Sequence, residues 1–166
     1  INVESGEAFN AVTADIKNMS TGITEVKKGT NFLILSSTLE NHAVLINDDG
    51  VGINAGDSSI ENSGDIHIKN GIGAKIKDNS VLENSGKVII TMQGTGVSAE
   101  NSIIENDASG QFFISIGKGF DLDKSRLINN SELEVFVGTG IEANNSIIYN
   151  YGKVNIDKGI AIDMKN

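Results

Sequence analysis

Seven asparagines, Asn18, Asn41, Asn62, Asn84, Asn106, Asn129 and Asn150, follow one another at intervals of 23, 21, 22, 22, 23 and 21 residues. A period of about 22 kept along the whole chain means one small structural unit used again and again, each copy burying its apolar face against its neighbours. In such an array a binding function belongs to an extended surface built by several copies.

The residues leading to each asparagine read Ser37-Thr38-Leu39-Glu40-Asn41, Ser58-Ser59-Ile60-Glu61-Asn62, Ser80-Val81-Leu82-Glu83-Asn84 and Ser102-Ile103-Ile104-Glu105-Asn106, with Ser125 to Asn129 and Ser146 to Asn150 in the same pattern. In an extended strand alternate residues share a face, so the serine, the aliphatic residue and the asparagine point one way and the glutamate the other. The aliphatic column Ile16, Leu39, Ile60, Leu82, Ile104, Leu127, Ile148 never breaks. A turn follows, clearest in Asn62-Ser63-Gly64, Asn84-Ser85-Gly86 and Asn150-Tyr151-Gly152, where the glycine is expected at positive φ. A second alternating strand carries Ile66 and Ile68, Val88 and Ile90, or Val154 and Ile156. After a glycine-marked corner a third carries Ile53 and Ala55, Ala74 and Ile76, Val97 and Ala99, or Ile141 and Ala143.

Strands this short cannot bury their apolar faces alone, but stacked coils pair each strand with its equivalent above and below. The expected fold is all-β: a right-handed parallel β-helix solenoid of about seven coils of ~22 residues, three short strands per coil. No segment carries a sustained helical 3.6-residue period, and a β-sandwich would not keep glycine, serine and asparagine at fixed offsets through seven copies. Residues 1–166 are read as a single unit, with irregular first coils over 1–49 and regular coils over 50–166. The chain begins Ile1-Asn2-Val3 and the repeat still runs at its end, as expected of a segment of a longer array.

The inward parity of Asn18, Asn41, Asn62, Asn84, Asn106, Asn129 and Asn150 predicts a structural ladder, amide bonded to amide from coil to coil, satisfying corner backbone that would otherwise be buried unpaired. The chain has no cysteine, which removes disulfide scaffolds, thiolate metal sites and thiol nucleophiles. A net charge of −9 with Arg126 as the one arginine argues against nucleic acid as a partner. Apolar runs such as Phe32 to Leu35 fall far short of the ~20 residues a membrane-spanning helix needs. No cofactor or metal is expected.

Two groups of outward residues invite a functional reading. Asp121, Asp123 and Glu142 stand on the third strand, adjacent coils bringing Asp121 and Glu142 to about 5 Å at the backbone, within the range of glycosidase carboxyl pairs. That spacing belongs to any two outward residues of a stacked strand, so a solvated acidic face is the simpler reading. Glu40, Glu61, Glu83 and Glu105 form a second acidic column, which costs stability unless offset. The other group is apolar: Ile89, Phe113 and Phe136, expected in successive coils of the second strand, and Tyr149 with Ile103, Ile128 and Ile147 on the first. Aromatic side chains stacked toward water suggest a partner-binding face. His42 and His67 are isolated in the pattern.

The coil Gly-Ile-x-Ala-x-x-Ser-x-Ile-x-Asn-x-Gly-x-Ile-x-Ile, seen best from Gly140 to Ile156 with Val154 at one aliphatic position, resembles the passenger domains of autotransporter adhesins of Gram-negative bacteria. The resemblance implies a rigid extracellular stalk, exported by type V secretion through its own outer-membrane barrel and displayed on the bacterial cell surface. It also implies a non-catalytic binding face for a host-cell or bacterial surface protein or glycan, with no membrane insertion of this segment. The family's barrel and signal sequence have no counterpart within these 166 residues. The alternatives are a polysaccharide-active β-helix enzyme using Asp121, Asp123 and Glu142, and a structural β-helical polymer.

Overall fold

Each coil is built from one short strand and one long one. In the computed structural model, which describes residues 1–165, the short strands are β3 (Asp15–Asn18), β5 (Thr38–Asn41), β7 (Ser59–Asn62), β9 (Val81–Asn84), β11 (Ile103–Asn106), β13 (Arg126–Asn129) and β15 (Ile147–Asn150). The long ones are β4 (Ile23–Leu35), β6 (Val44–Gly56), β8 (Asp65–Lys77), β10 (Lys87–Glu100), β12 (Gln111–Asp123), β14 (Glu132–Asn144) and β16 (Lys153–Lys165); β1 (Asn2–Val3) and β2 (Gly6–Val12) together make the long strand of the first coil. All pairing is parallel and runs coil to coil, β3 through β15 in one sheet and β1/β2 through β16 in the other. The chain is a parallel β-solenoid of about 8 turns with about 21 residues per turn and no helix among its described residues, as a right-handed parallel β-helix requires. With about 4.8 Å per step the rod is roughly 34 Å long.

The second and third strands expected from the sequence are the two legs of one long strand. The bend between them is a column of glycines in register, Gly29, Gly50, Gly71, Gly94, Gly117, Gly138 and Gly159. Gly50 shows why the column is glycine: its φ is +154°, and a Cβ there would lie 2.0 Å from the Gly29 carbonyl oxygen. The ladder therefore passes the bend unbroken. Corner geometry corrects a second expectation. Gly64, Gly86 and Gly152, after the asparagines, do not have positive φ. They are glycine because the coils touch there, a Cβ at Gly64 falling 2.0 Å from the Ala43 carbonyl oxygen. Outside the glycine column, positive φ occurs at the residue before or near each serine, Asp57, Asn79, Asn101, Lys124 and Asn145 among them.

The core is a set of single-residue columns. Ile104, Val97, Phe112, Phe120, Leu122 and Leu127 are fully buried or nearly so, as are their equivalents in the inner coils. Two bulky rings fill the middle of the rod, Phe112 and Phe120, with centroids 4.7 Å apart. The polar columns are buried with them. Asn41, Asn62, Asn84, Asn106 and Asn129 are at most 1% exposed, and the amide of each donates to the Oδ1 of the next at 2.7–2.9 Å, continuous from Asn18 to Asn150. The second amide hydrogen closes the turn, as in Asn84 Nδ2 to the Gly86 carbonyl at 3.2 Å. The serine hydroxyls work similarly: Ser58 Oγ accepts from the Ser37 amide at 3.2 Å and donates to the Gly56 carbonyl at 2.7 Å.

Candidate binding surface

Parallel register decides which outward side chains meet. On the second leg Asp121 lies directly beside Glu142, and Asp123 beside Asn144. These carboxylates are already engaged. Lys118 Nζ bridges Asp121 at 2.9 Å and Glu142 at 2.7 Å, Lys165 Nζ reaches Glu142 at 2.7 Å, and Asn144 Nδ2 donates to Asp123 at 2.7 Å. Hydrogen bonds from Lys118 and Lys165 outweigh partial burial and hold the Glu142 carboxyl down at about 2. For Lys118 burial opposes the charge, but the bonds to Glu142 and Asp121 prevail and its ammonium is held above its ordinary value. A carboxyl so held stays ionised near neutrality and has no proton to give as a general acid. Arg126, on β13, belongs to the other sheet.

The glutamate column is real: Glu40, Glu61, Glu83 and Glu105 are register neighbours. It is relieved at one end, where Lys17 Nζ sits 2.8 Å from Glu40 and, as a hydrogen-bond donor, holds that carboxyl below its usual range. Glu61, Glu83 and Glu105 line a shallow groove with Asn84, Ser85 and Asp107. Among the described residues no cluster of three or more His, Asp or Glu is arranged to hold a metal. The histidines have local partners, His42 Nδ1 with Ser63 Oγ at 2.6 Å and His67 Nε2 at 3.7 Å from Asp65.

The apolar face differs from expectation in register but not in its convergence. Phe113 pairs with Ile89 below and with Glu134 above, so Phe136 is not the next member of that column. Both phenylalanines stand seven residues after their asparagine, but the turn after Asn106 holds Asp107 to Gly110, two residues more than the equivalent turn after Asn84, and moves Phe113 back by one outward position. Phe136 falls instead beside Ser115, flanking the same depression: Ile89, Thr91, Phe113, Ser115, Glu134 and Phe136 all line it. Phe136 is 58% exposed.

Tyr149 is elsewhere. It continues the glutamate column on the short-strand sheet, beside Ile128, and does not join the phenylalanines. Two apolar residues that the sequence pattern does not single out, Met92 and Ile116, are each 50% exposed close to the bends of β10 and β12. A bulge between Ile90 and Gln93 gives β10 one residue more than its neighbours and turns Met92 outward. The signal was present, since Lys87 to Gly94 spans one residue more than Asp65 to Gly71 or Gln111 to Gly117.

The open ends of the rod expose the inner columns, Ile162 and Met164 at one end and Phe9, Ala11 and Ile16 partly covered at the other. The chain matches no protein-family model, no curated protein and no solved structure.

Proposed function

We propose that the chain is a segment of a surface-displayed adhesin passenger, a rigid stalk with a non-catalytic binding face, located outside a Gram-negative cell and held there by a translocator beyond this segment. The observation that carries this reading is a contrast of two surfaces. The carboxylates that resemble a catalytic group are clamped by lysines and an amide, whereas large apolar side chains stand unpartnered on the outside of a stiff, internally bonded rod. Binding needs the second kind of surface; acid–base catalysis needs carboxyls with a tunable proton.

The absence of cysteine suits a chain that crosses an oxidising periplasm unfolded, where thiols would pair prematurely. Its partner in this reading is a host-cell or bacterial surface protein or glycan. Displayed on a bacterium through a heterologous outer-membrane barrel, the segment should confer adherence to host cells or immobilised glycans, and Phe136→Ser with Phe113→Ser should abolish it. Adherence no greater than that of the barrel alone would overturn the reading. Incubation with acidic polysaccharides should release no new reducing ends or unsaturated products; turnover that disappears on Asp121→Ala would establish the enzyme alternative instead.

A further inference from the structure

The outward face of the first leg has a charge order that a merely solvated surface does not require. One column reads Asp65, Lys87, Gln111, Glu132, Lys153 in successive coils. A parallel column, four residues along and beyond the His67, Ile89, Phe113, Glu134, Asn155 column, reads Lys69, the Thr91–Met92 bulge, Ser115, Phe136, Asp157. Reversing the coil order about the middle coil exchanges Lys87 with Glu132, Asp65 with Lys153, and Lys69 with Asp157. Every charge in these two columns then meets its opposite. The middle coil presents only uncharged groups, Gln111, Phe113, Ser115 and Ile116.

From this symmetry we infer that the face is a self-association surface: two copies of the chain pack side by side with their rods antiparallel, related by a two-fold axis along the first leg of β12. A two-fold axis brings each residue lying on it against its own copy, so residues there must be uncharged or repel. Phe113 and Ile116 meet themselves, and Phe136 meets the bulge that carries Met92. Sheets packed face to face stand about 10 Å apart, room for this apolar centre with the ion pairs on either side. Lys69, Lys87, Lys153 and Asp157 make no ion pair within the chain among the described residues.

Other placements of the axis fail on charge. Half a coil toward β14, Lys87 faces Lys153; half a coil toward β10, Asp65 faces Glu132. An axis along the rod lays Glu134 on its own copy. In the antiparallel arrangement Glu134 faces Ile89, one outward position from Lys87 of the second copy, within reach of its ammonium. The surface includes the Phe113–Phe136 face used in the adhesion reading, but self-association does not rest on that reading: it is read with the purified chain alone, adhesion with cells and immobilised glycans.

The test is sedimentation velocity from about 1 to 100 µM, which spans associations of micromolar strength. A dimer should form and dissociate on dilution. Lys87→Glu alone and Glu132→Lys alone should each weaken it by about tenfold or more, and the double variant should restore it, because the exchanged charges meet again. Both side chains lie outside the core, and circular dichroism should be unchanged. The native chain has no cysteine, so Ser115→Cys places one thiol beside its own copy on the axis. Mild oxidation should give a covalent dimer, while Ser98→Cys on the second leg should give none. A wild-type chain that stays monomeric throughout overturns the inference. So does a dimer that is indifferent to both charge reversals and leaves Ser115→Cys uncrosslinked, as end-to-end stacking would.

Discussion

Asn84 and Glu142 show what single side chains do in a stacked fold. Asn84 accepts from Asn62, donates to Asn106 and closes its own turn on the Gly86 carbonyl. Asn84→Ala strands a buried donor on Asn62, an acceptor on Asn106 and the turn carbonyl, each worth about 1–3 kcal/mol when left unpaired. A loss of about 3 kcal/mol or more is expected by denaturant unfolding. At the open end, where Asn150 is solvated, the same change should cost under about 1 kcal/mol; equal losses at the two sites would refute the ladder as the source of stability. Glu142 behaves differently because its contribution depends on charge. Its folded pKa, about 2, lies below the ordinary 4.5, so the clamp's stabilisation is fully present above about pH 4.5 and is lost as the pH falls toward 2. With the side chain 24% exposed, solvent screening leaves about 1–2 kcal/mol of a nominal ceiling near 3. Glu142→Gln should flatten the acid limb of the stability curve across that window, measured by urea unfolding at stepped pH. The asparagine ladder was legible in the sequence because a column of one residue type at one parity has one structural meaning. The Lys118–Glu142–Lys165 clamp was not, since a flexible lysine's choice of carboxylate depends on where the bend aims it.

Between elements, legibility failed wherever a coil departs from the period by a residue or two. Counting from the asparagine aligned Phe113 with Phe136, and the two-residue insertion after Asn106 undid it. The bulge in β10 did the same for Met92. Register is a property of paired strands, and one inserted residue moves everything after it to the next position. The reverse case, a substitution without an insertion, occurs at the junction of β4 and β6. Asn31 occupies the position that is Gly52, Gly73, Gly96, Gly119 and Gly140 in later coils, and Asn47 stands where Ile68 follows. A Cβ at Gly52 would sit 2.6 Å from the Gly73 carbonyl oxygen, 2.9 Å from Ile66 and 3.3 Å from Ile68, and beside residue 31 the shorter Asn47 in place of Ile68 relieves the last of these contacts. The two amides bond at 3.0 Å, and Asn47 Oδ1 is left buried without a partner. Asn47→Ile alone should crowd Asn31 and strip its acceptor of a donor, and Asn31→Gly alone should leave a gap, each costing about 1–3 kcal/mol. Together they recreate the later coils. The double variant should equal or exceed the native stability, giving a coupling energy of at least about 1 kcal/mol in a double-mutant cycle. Additive losses would mean the pair is not the unit described.

At the scale of the whole rod, stability is a sum over neighbouring coils, because each strand pairs only with its equivalents one turn away. Length is then adjustable in whole coils and in no other unit. Removing 65–86 joins Gly64 directly to Lys87, and Gly64 already occupies the position of Gly86 in its own turn. Ile46 comes to lie beside Ile89, Leu39 and Ile60 keep their column, and Asn62 donates to Asn106 in place of Asn84. No side chain changes face. The shortened chain should fold to the same β-rich circular dichroism per residue and unfold cooperatively. Its m-value should be lower by about an eighth, in proportion to the surface lost with one of about 8 turns. Removing half as many residues, 65–75, takes away the first leg, the bend and most of the second leg of one coil, leaving only Ile76 and Lys77 of β8 between the turn at Gly64 and the next short strand. Neither ladder can then close above that point, and the protein should be unfolded or aggregated. A tolerated half-coil deletion would contradict the nearest-neighbour account; an intolerant whole-coil deletion would mean that one coil carries a long-range contact which the parallel ladders do not.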